Sequence, residues 1–195
     1  IEIAMLFVVG LALAAIFGAY WLTTEQLHQV YEVDAEPIVL PAGSAAITEG
    51  ERLTKVRGCF WCHGPSLQGK LYFADAWKGV IVAAPNLTQK IHEYSPAEFA
   101  RAVRHGVRRD GTSVQPAMPA FAFYSMSDED MGAIISYIAS LPASDGIEHS
   151  FQLLPVGWFR WIAGRLPPNT AELIDHEAGR PDPTVDGDPA ARGRY

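Results

Sequence analysis

Both cysteines of this 195-residue chain stand in one run, Cys59-Phe60-Trp61-Cys62-His63. Two thiols at this spacing, with an imidazole on the next residue, suit covalent attachment of a haem. Each thiol adds across one of the two vinyl groups, and the imidazole that follows lies where it can bind the iron. The run therefore predicts haem c as cofactor, with Cys59 and Cys62 as attachment points and His63 as the iron's proximal ligand. The second ring nitrogen of His63 is expected to be held by a nearby acceptor. The competing chemistries are poorly served. A zinc site needs further Cys or His ligands at suitable spacing, and no second Cys pair exists. A thioredoxin-like dithiol needs a βαβ setting that the pattern lacks. The plainest alternative is a pair of structural thiols beside an incidental histidine.

The sixth iron ligand decides what such a haem can do. Iron bound by His and Met is saturated, suits electron transfer and has a raised potential. An open site suits gas binding or peroxide chemistry. Met118 stands in a loop bracketed by Pro116 and Pro119, between two predicted helices. A stiff loop of this kind can hold a weak sulfur ligand on iron, which makes Met118 the leading sixth ligand. Met131 falls on the apolar stripe of a helix and reads as core, Met126 adjoins a helix cap, and Met5 lies in the N-terminal apolar stretch. His92 and His105 are the alternatives for a bis-His haem, although His105 sits among arginines on a helix read as facing solvent. Arg101, Arg104 and Arg108 fall on one helical face with Arg109 beside them. They read either as a solvated surface or as partners for haem propionates or an acidic protein. Trp77, Tyr72 and Asn86 are further candidate donors to propionates.

The elements that must position these residues follow from periodicity and punctuation. Ile47, Leu53 and Val56 give an apolar face leading into the cysteine run. Ser95-Pro96-Ala97-Glu98 is a helix start, with a Ser cap, Pro at the first turn and Glu placed to bond back. Phe99, Val103 and Val107 then recur at four-residue steps. Ser127 followed by Asp128, Glu129 and Asp130 starts another helix, its acids favoured at the positive dipole end. Met131, Ile134, Ile135, Ile138 and Leu141 mark its buried stripe until Pro142 ends it. No β pattern emerges, and Val80-Ile81-Val82 is too short to carry a sheet. The expected fold is all-α.

The first 22 residues are almost entirely apolar, and Ile3 to Leu22 contains no charge. Twenty helical residues span about 30 Å, the thickness of a bilayer's hydrocarbon core. Tyr20 and Trp21 at its end suit the headgroup region. The rival reading, a signal peptide, calls for a shorter apolar run and a small-residue cleavage site. A retained transmembrane anchor is therefore expected, with the lipid bilayer as a partner. The chain begins with Ile, so sequence upstream is expected to be missing, and the positive-inside rule gives no orientation. Residues 1–36 read as anchor plus helical extension, stopped by Pro37, and 37–45 as an extended linker. Residues 46–142 form the haem domain. The 143–166 segment, with Trp158, Phe159 and Trp161 beside Arg160 and Arg165, reads equally as an interfacial or partner-packing segment and as a strap over the domain's own core. Residues 167–195 read as irregular linker. A net charge of −7 offers no basic footprint, so no nucleic-acid partner is expected.

The motifs in order resemble a family. They are Gly50-Glu51-Arg52-Leu53, Gly58-Cys59-Phe60-Trp61-Cys62-His63-Gly64, Pro85-Asn86-Leu87-Thr88, Gly106 to Gly111, Met118-Pro119 and the cap at Met126-Ser127 leading to Tyr137-Ile138. Over about residues 46–142 they resemble class I cytochrome c domains, in particular membrane-bound ones that serve as electron-transfer subunits of bacterial dehydrogenases and respiratory complexes. The resemblance implies a small all-α fold whose first and last helices cross, with Gly50 allowing close approach near Tyr137. It implies His63 and Met118 as axial ligands, and partner proteins that are redox subunits of a membrane complex. It also implies a bacterial inner-membrane location with the haem domain facing the periplasm. Ala190-Ala191-Arg192-Gly193-Arg194-Tyr195 resembles the opening of a second such domain, so a longer dihaem protein is one expectation and an ordinary tail the other. The function expected is a single-electron carrier rather than an enzyme. The alternatives are a haem peroxidase or gas sensor with an open sixth site, and a mainly structural subunit.

Overall fold

The computed structural model describes residues 2–148 and 150–179. Helix α1 (Glu2–Leu27) is 26 residues long, about 39 Å at 1.5 Å per residue. Nearly all its apolar side chains are exposed, and only Ala19 and Thr23 are buried. It is long and apolar enough to cross a bilayer. The helix ends ten residues before Pro37, contrary to the expected extension. His28 Nδ1 lies 2.8 Å from the Thr24 carbonyl in the last turn. The chain then runs extended, because Val30 bridges Thr112 and the Tyr31 N–H donates to the Gly111 carbonyl at 2.9 Å. Tertiary pairing, not proline, stops this helix.

The region that carries the cysteine run begins at α2 (Ser44–Val56) and closes at α6 (Asp128–Ser140). These two helices cross in the closest packing of the molecule. A Cβ placed on Gly50 would lie 2.0 Å from the Ala133 carbonyl oxygen and 2.7 Å from Tyr137 Cβ. Glycine is the residue that lets the backbones touch. The buried face of α2 is Gly50, Leu53 and Thr54, whereas Ile47 and Val56 are exposed. Helix α6 carries the expected stripe, with Met131, Ile134, Ile135 and Ile138 all buried. Its cap is also as expected, the Asp130 N–H donating to Ser127 Oγ at 3.1 Å. The segment before α2 lies along α6, where Ser136 Oγ donates to the Pro41 carbonyl at 3.0 Å.

Between the crossing helices come α3 (Cys59–His63), α4 (Leu87–Glu93), and α5 (Pro96–Arg104) with its predicted capping box complete at Ser95 and Glu98. Val107 falls beyond α5 and bridges Ser113 instead of extending the helical stripe.

The all-α expectation is corrected here. Strands β1 (Lys70–Asp75), β2 (Val80–Ala84) and β3 (Ser150–Leu153) form an antiparallel sheet in the order β1-β2-β3. Val80-Ile81-Val82 is short, but it is the central strand and finds partners on both sides. Val82 pairs with Phe73 and with Phe151. β3 comes from the segment whose placement the sequence left open, and sequence distance hid the pairing. That segment continues into α7 (Pro155–Ile162), which packs on the end of α1. Tyr20 and Trp158 meet edge-on at 5.2 Å, and Trp161 Nε1 donates to Gln26 Oε1 at 2.8 Å.

Residues after α7, expected to be linker, are partly core. Asn169, Thr170 and Ala171 are fully buried at the start of a 3₁₀ turn, Thr170–Leu173. Asn169 Nδ2 donates to the Gln26 carbonyl at 2.8 Å and to Tyr31 Oη at 3.1 Å, and Tyr31 Oη donates to Glu172 at 2.9 Å. The motif at 190–195 lies outside the described residues.

Two outcomes test this packing. In an unconstrained helix Gly50→Ala would gain about 1 kcal/mol of propensity, but overpacking costs about 1–3 kcal/mol or more. With a main-chain carbonyl in the way the clash prevails, and urea unfolding should show a net loss of about 2 kcal/mol. Burial pushes the Tyr31 phenol from its usual 10.0 up to about 12, with Glu172 acting in the same direction. A folded pKa above the unfolded one contributes stability that is complete below the unfolded value and lost as pH rises through the folded one. Tyr31→Phe should therefore flatten the alkaline fall in stability between pH 10.0 and about 12, measured by denaturant midpoints across that window.

Candidate functional site

Helix α3 is a single turn between two left-handed glycines, Gly58 at φ 80° and Gly64 at φ 84°. Positive φ is cheap for glycine, so the chain enters and leaves the turn sharply. The turn turns Cys59, Cys62 and His63 toward one cavity and leaves Trp61 80% exposed. Both thiols are free, with no disulfide between them. Burial pushes the Cys59 thiol up to about 11, and burial also raises Cys62, so both stay protonated at neutral pH.

His63 is 7% exposed. Its Nδ1 lies 2.9 Å from the Pro85 carbonyl, so Nδ1–H donates there and Nε2 keeps a bare lone pair. Burial, the larger effect, lowers the pKa of His63, while the Pro85 bond works the other way. The ring is therefore neutral and able to ligate. The acceptor expected for the second ring nitrogen is a main-chain oxygen one residue beyond β2. The unforeseen sheet thus carries the atom that orients His63. Gly69 N–H also donates to the His63 carbonyl at 2.9 Å, tying the turn to β1.

The cavity has a volume of about 210 Å³ and is partly open to solvent. Its walls are mainly apolar. Val82 and Ala84 come from β2, Leu87 from α4, Phe99 and Val103 from α5, and Ile134 and Ile138 from α6. Met118 lines the same cavity from its proline-bracketed loop. The Met118 N–H donates to the Gln115 carbonyl at 2.9 Å, and the Ala120 N–H to the Met118 carbonyl at 2.9 Å. Met126 lines it too, 1% exposed and part of the main apolar cluster. Met131 is core, as its place on the α6 stripe indicated. Neither His92 nor His105 reaches the cavity. His92 is exposed. His105, expected on a solvent-facing helix, is instead buried at the end of α5, its Nδ1 3.1 Å from that of His176.

The arginines divide. Arg101 donates to the carbonyls of Val33 and Arg108, at 2.9 Å each. Arg104 is buried and pairs with Asp128 at 2.8 Å. Neither belongs to a solvated face. Arg108 lies beyond the helix and lines the cavity, together with Arg57 and Lys90. Arg57 was legible in principle, since it directly precedes Gly58-Cys59. Among the proposed propionate donors, Tyr72 lines the cavity, while Trp77 is 89% exposed and points elsewhere. Asn86 is a structural hub. Its Oδ1 accepts from the Thr88 N–H at 3.0 Å and the Thr88 hydroxyl at 2.8 Å, and its Nδ2 donates to Ser144 O at 2.6 Å.

These residues fit a covalent haem. Two free thiols and a neutral, oriented imidazole face an apolar chamber that also holds thioether sulfur, with cationic side chains along its lining. Crossed terminal helices and a Cys-x-x-Cys-His turn opening on such a chamber define a c-type cytochrome domain. Residues 45–138 match the family described as Cytochrome C oxidase, cbb3-type, subunit III. This part of the chain is a c-type cytochrome domain, preceded by an apolar helix, and it carries covalently bound haem c.

Among curated relatives, the cytochrome c subunit of alcohol dehydrogenase (quinone) from Gluconacetobacter polyoxogenes is 38% identical over 49% of this chain and 22% of its own length. The gluconate 2-dehydrogenase cytochrome c subunit from Pantoea cypripedii is 36% identical over 49% of this chain and 23% of its own. A dihaem cytochrome c-type protein from Cereibacter sphaeroides is 27% identical over 95% of this chain and 63% of its own. The chain thus spans about a quarter or less of the dehydrogenase cytochrome subunits named here.

The attachment has a direct check. Cys59→Ser or Cys62→Ser alone should leave haem bound through the remaining thioether, visible by haem staining on a denaturing gel. The double substitution should lose the stained band while protein is still present.

Proposed function

We propose that the chain is a membrane-tethered carrier that passes single electrons through one haem c ligated by His63 and Met118. What carries the reading is that Met118, on a loop braced at both its N–H and its carbonyl, lines the same chamber as His63 and the two cysteines. Met126 also borders the chamber, but it is embedded in the apolar cluster with no comparable loop to deliver its sulfur. With His63 and Met118 both holding the haem, no position would be left for substrate and the reduced state would be favoured, the properties of a relay. The fold is then of the class I cytochrome c kind, without catalytic residues of its own. Bound in this way, the haem would supply a one-electron store. The chain's own groups orient the imidazole through Pro85, exclude water with the α5 and α6 side chains, and offer Arg57, Lys90 and Arg108 to anionic groups.

The names of the relatives suggest the partners. Alcohol and gluconate dehydrogenases with cytochrome subunits imply that this domain takes electrons from a substrate-oxidising subunit and passes them on within a membrane complex. Tethering by α1 to the inner membrane, with the haem domain in the periplasm, would keep it beside those partners and raise its effective concentration there.

Optical spectra of the purified protein test this reading. The ferric form should show the weak long-wavelength charge-transfer band of sulfur-bound haem. Met118→Ala should abolish that band, let carbon monoxide bind the ferrous form, and lower the potential by on the order of a hundred millivolts. Met126→Leu should keep the band. Loss of the band in Met126→Leu with retention in Met118→Ala would move the ligand to Met126. Absence of the band from the parent protein, with carbon monoxide binding, would point to an open site.

A further inference from the structure

The loop that carries Met118 is not held by the haem domain alone. The Thr170 side chain, 0% exposed, places its hydroxyl 3.0 Å from the Met118 carbonyl and 3.2 Å from the Gln115 carbonyl. Those are the two ends of the turn in which the Met118 N–H bonds back to Gln115. One residue on, the Ala171 N–H donates to Ser113 Oγ at 3.2 Å, on the strand-like approach to the same loop. One residue back, Asn169 Nδ2 donates at 2.8 Å to the carbonyl of Gln26, in the last turn of α1. The seat is close-fitting. A Cβ on Gly106 would meet Thr170 Cγ2 at 3.2 Å and the Ala171 nitrogen at 3.3 Å.

We propose that residues 169–171 are a strap whose Thr170 is a positioning residue for Met118, clamping the loop so that its sulfur stays directed into the chamber. The inference rests on the assignment of Met118 as sixth ligand. The Thr170 hydroxyl supplies one proton to the buried Gln115 carbonyl and the part-buried Met118 carbonyl, and its removal leaves both without that donor. The loop would then swing more readily, and the Met118 sulfur would hold the haem iron less firmly. Asn169 links the same strap to the foot of α1, so the clamp is anchored in the membrane helix and not only in the haem domain.

The experiment uses the full haem-loaded protein and exogenous imidazole, which binds ferric iron only when the native sixth ligand has left. Thr170→Val removes the hydroxyl at nearly constant volume, and Thr170→Ser restores it. A buried hydrogen bond corresponds to about a tenfold change in an equilibrium constant. Thr170→Val should therefore bind imidazole about tenfold more tightly than the parent, with its charge-transfer band lost at lower temperature, and Thr170→Ser should restore both. Should Thr170→Val not accumulate as holoprotein, Ser113→Ala decides the matter. It severs the second anchor and should also tighten imidazole binding. Parental affinity in the variant that is measured, against a parent that shows the band, overturns the strap. A parent without the band overturns the Met118 assignment instead, and the strap's role with it.

Discussion

Two helices from opposite ends of the haem domain touch backbone to backbone at Gly50 and Ala133, and the remainder of the domain is arranged by that contact. Because α2 and α6 are drawn so close, the intervening chain has to loop out and return, and it encloses a chamber as it does so. The helix that ends just ahead of the cysteine run and the helix that supplies Ile134 and Ile138 to the far wall are thereby locked in register. The attachment turn is delivered to one side and the thioether loop to the same space. Neither would have a defined relation to the other if the first contact were looser.

Much of the site could be read from residue types and spacing, because its chemistry is local. The Cys59-Phe60-Trp61-Cys62-His63 run, the capping box at Ser95 and Glu98, the Ser127 cap and the Pro-bracketed Met118 are each specified within five residues. What escaped was non-local. Val80 to Val82 has too few residues to announce a strand, and becomes one because Phe73 and Phe151 lie on either side of Val82. The end of α1 was misplaced for the same reason: Val30 and Tyr31 are extended to reach Thr112 and Gly111, about 80 residues away in sequence. The arginines misled in a third way. A run of like charges reads as surface, yet Arg104 is buried and pairs with Asp128 from a different helix.

The missed sheet also changes the account of His63. An imidazole that ligates metal needs its other nitrogen restrained, or its lone pair wanders. Here the restraint is a main-chain carbonyl immediately after β2, and a main-chain atom in that position is aimed by strand pairing, whatever the side chain. The β1–β2–β3 ladder is therefore part of that imidazole's support. β3 and α7 belong to the same continuous stretch, so one segment braces both the histidine side of the chamber and the helix foot beneath it.

That foot is bonded, not hinged. Gln26 holds Trp161 through its side chain and Asn169 through its carbonyl, while Tyr20 stacks edge-on against Trp158. A haem domain on a free linker would sample all headings above the bilayer and meet its partners by chance rotation. This one is mounted like an instrument on a bracket. Its bearing relative to α1 is set by these contacts. In the proposed relay, the distance an electron tunnels to a partner would be set by this mounting, and not by how far the domain can swing.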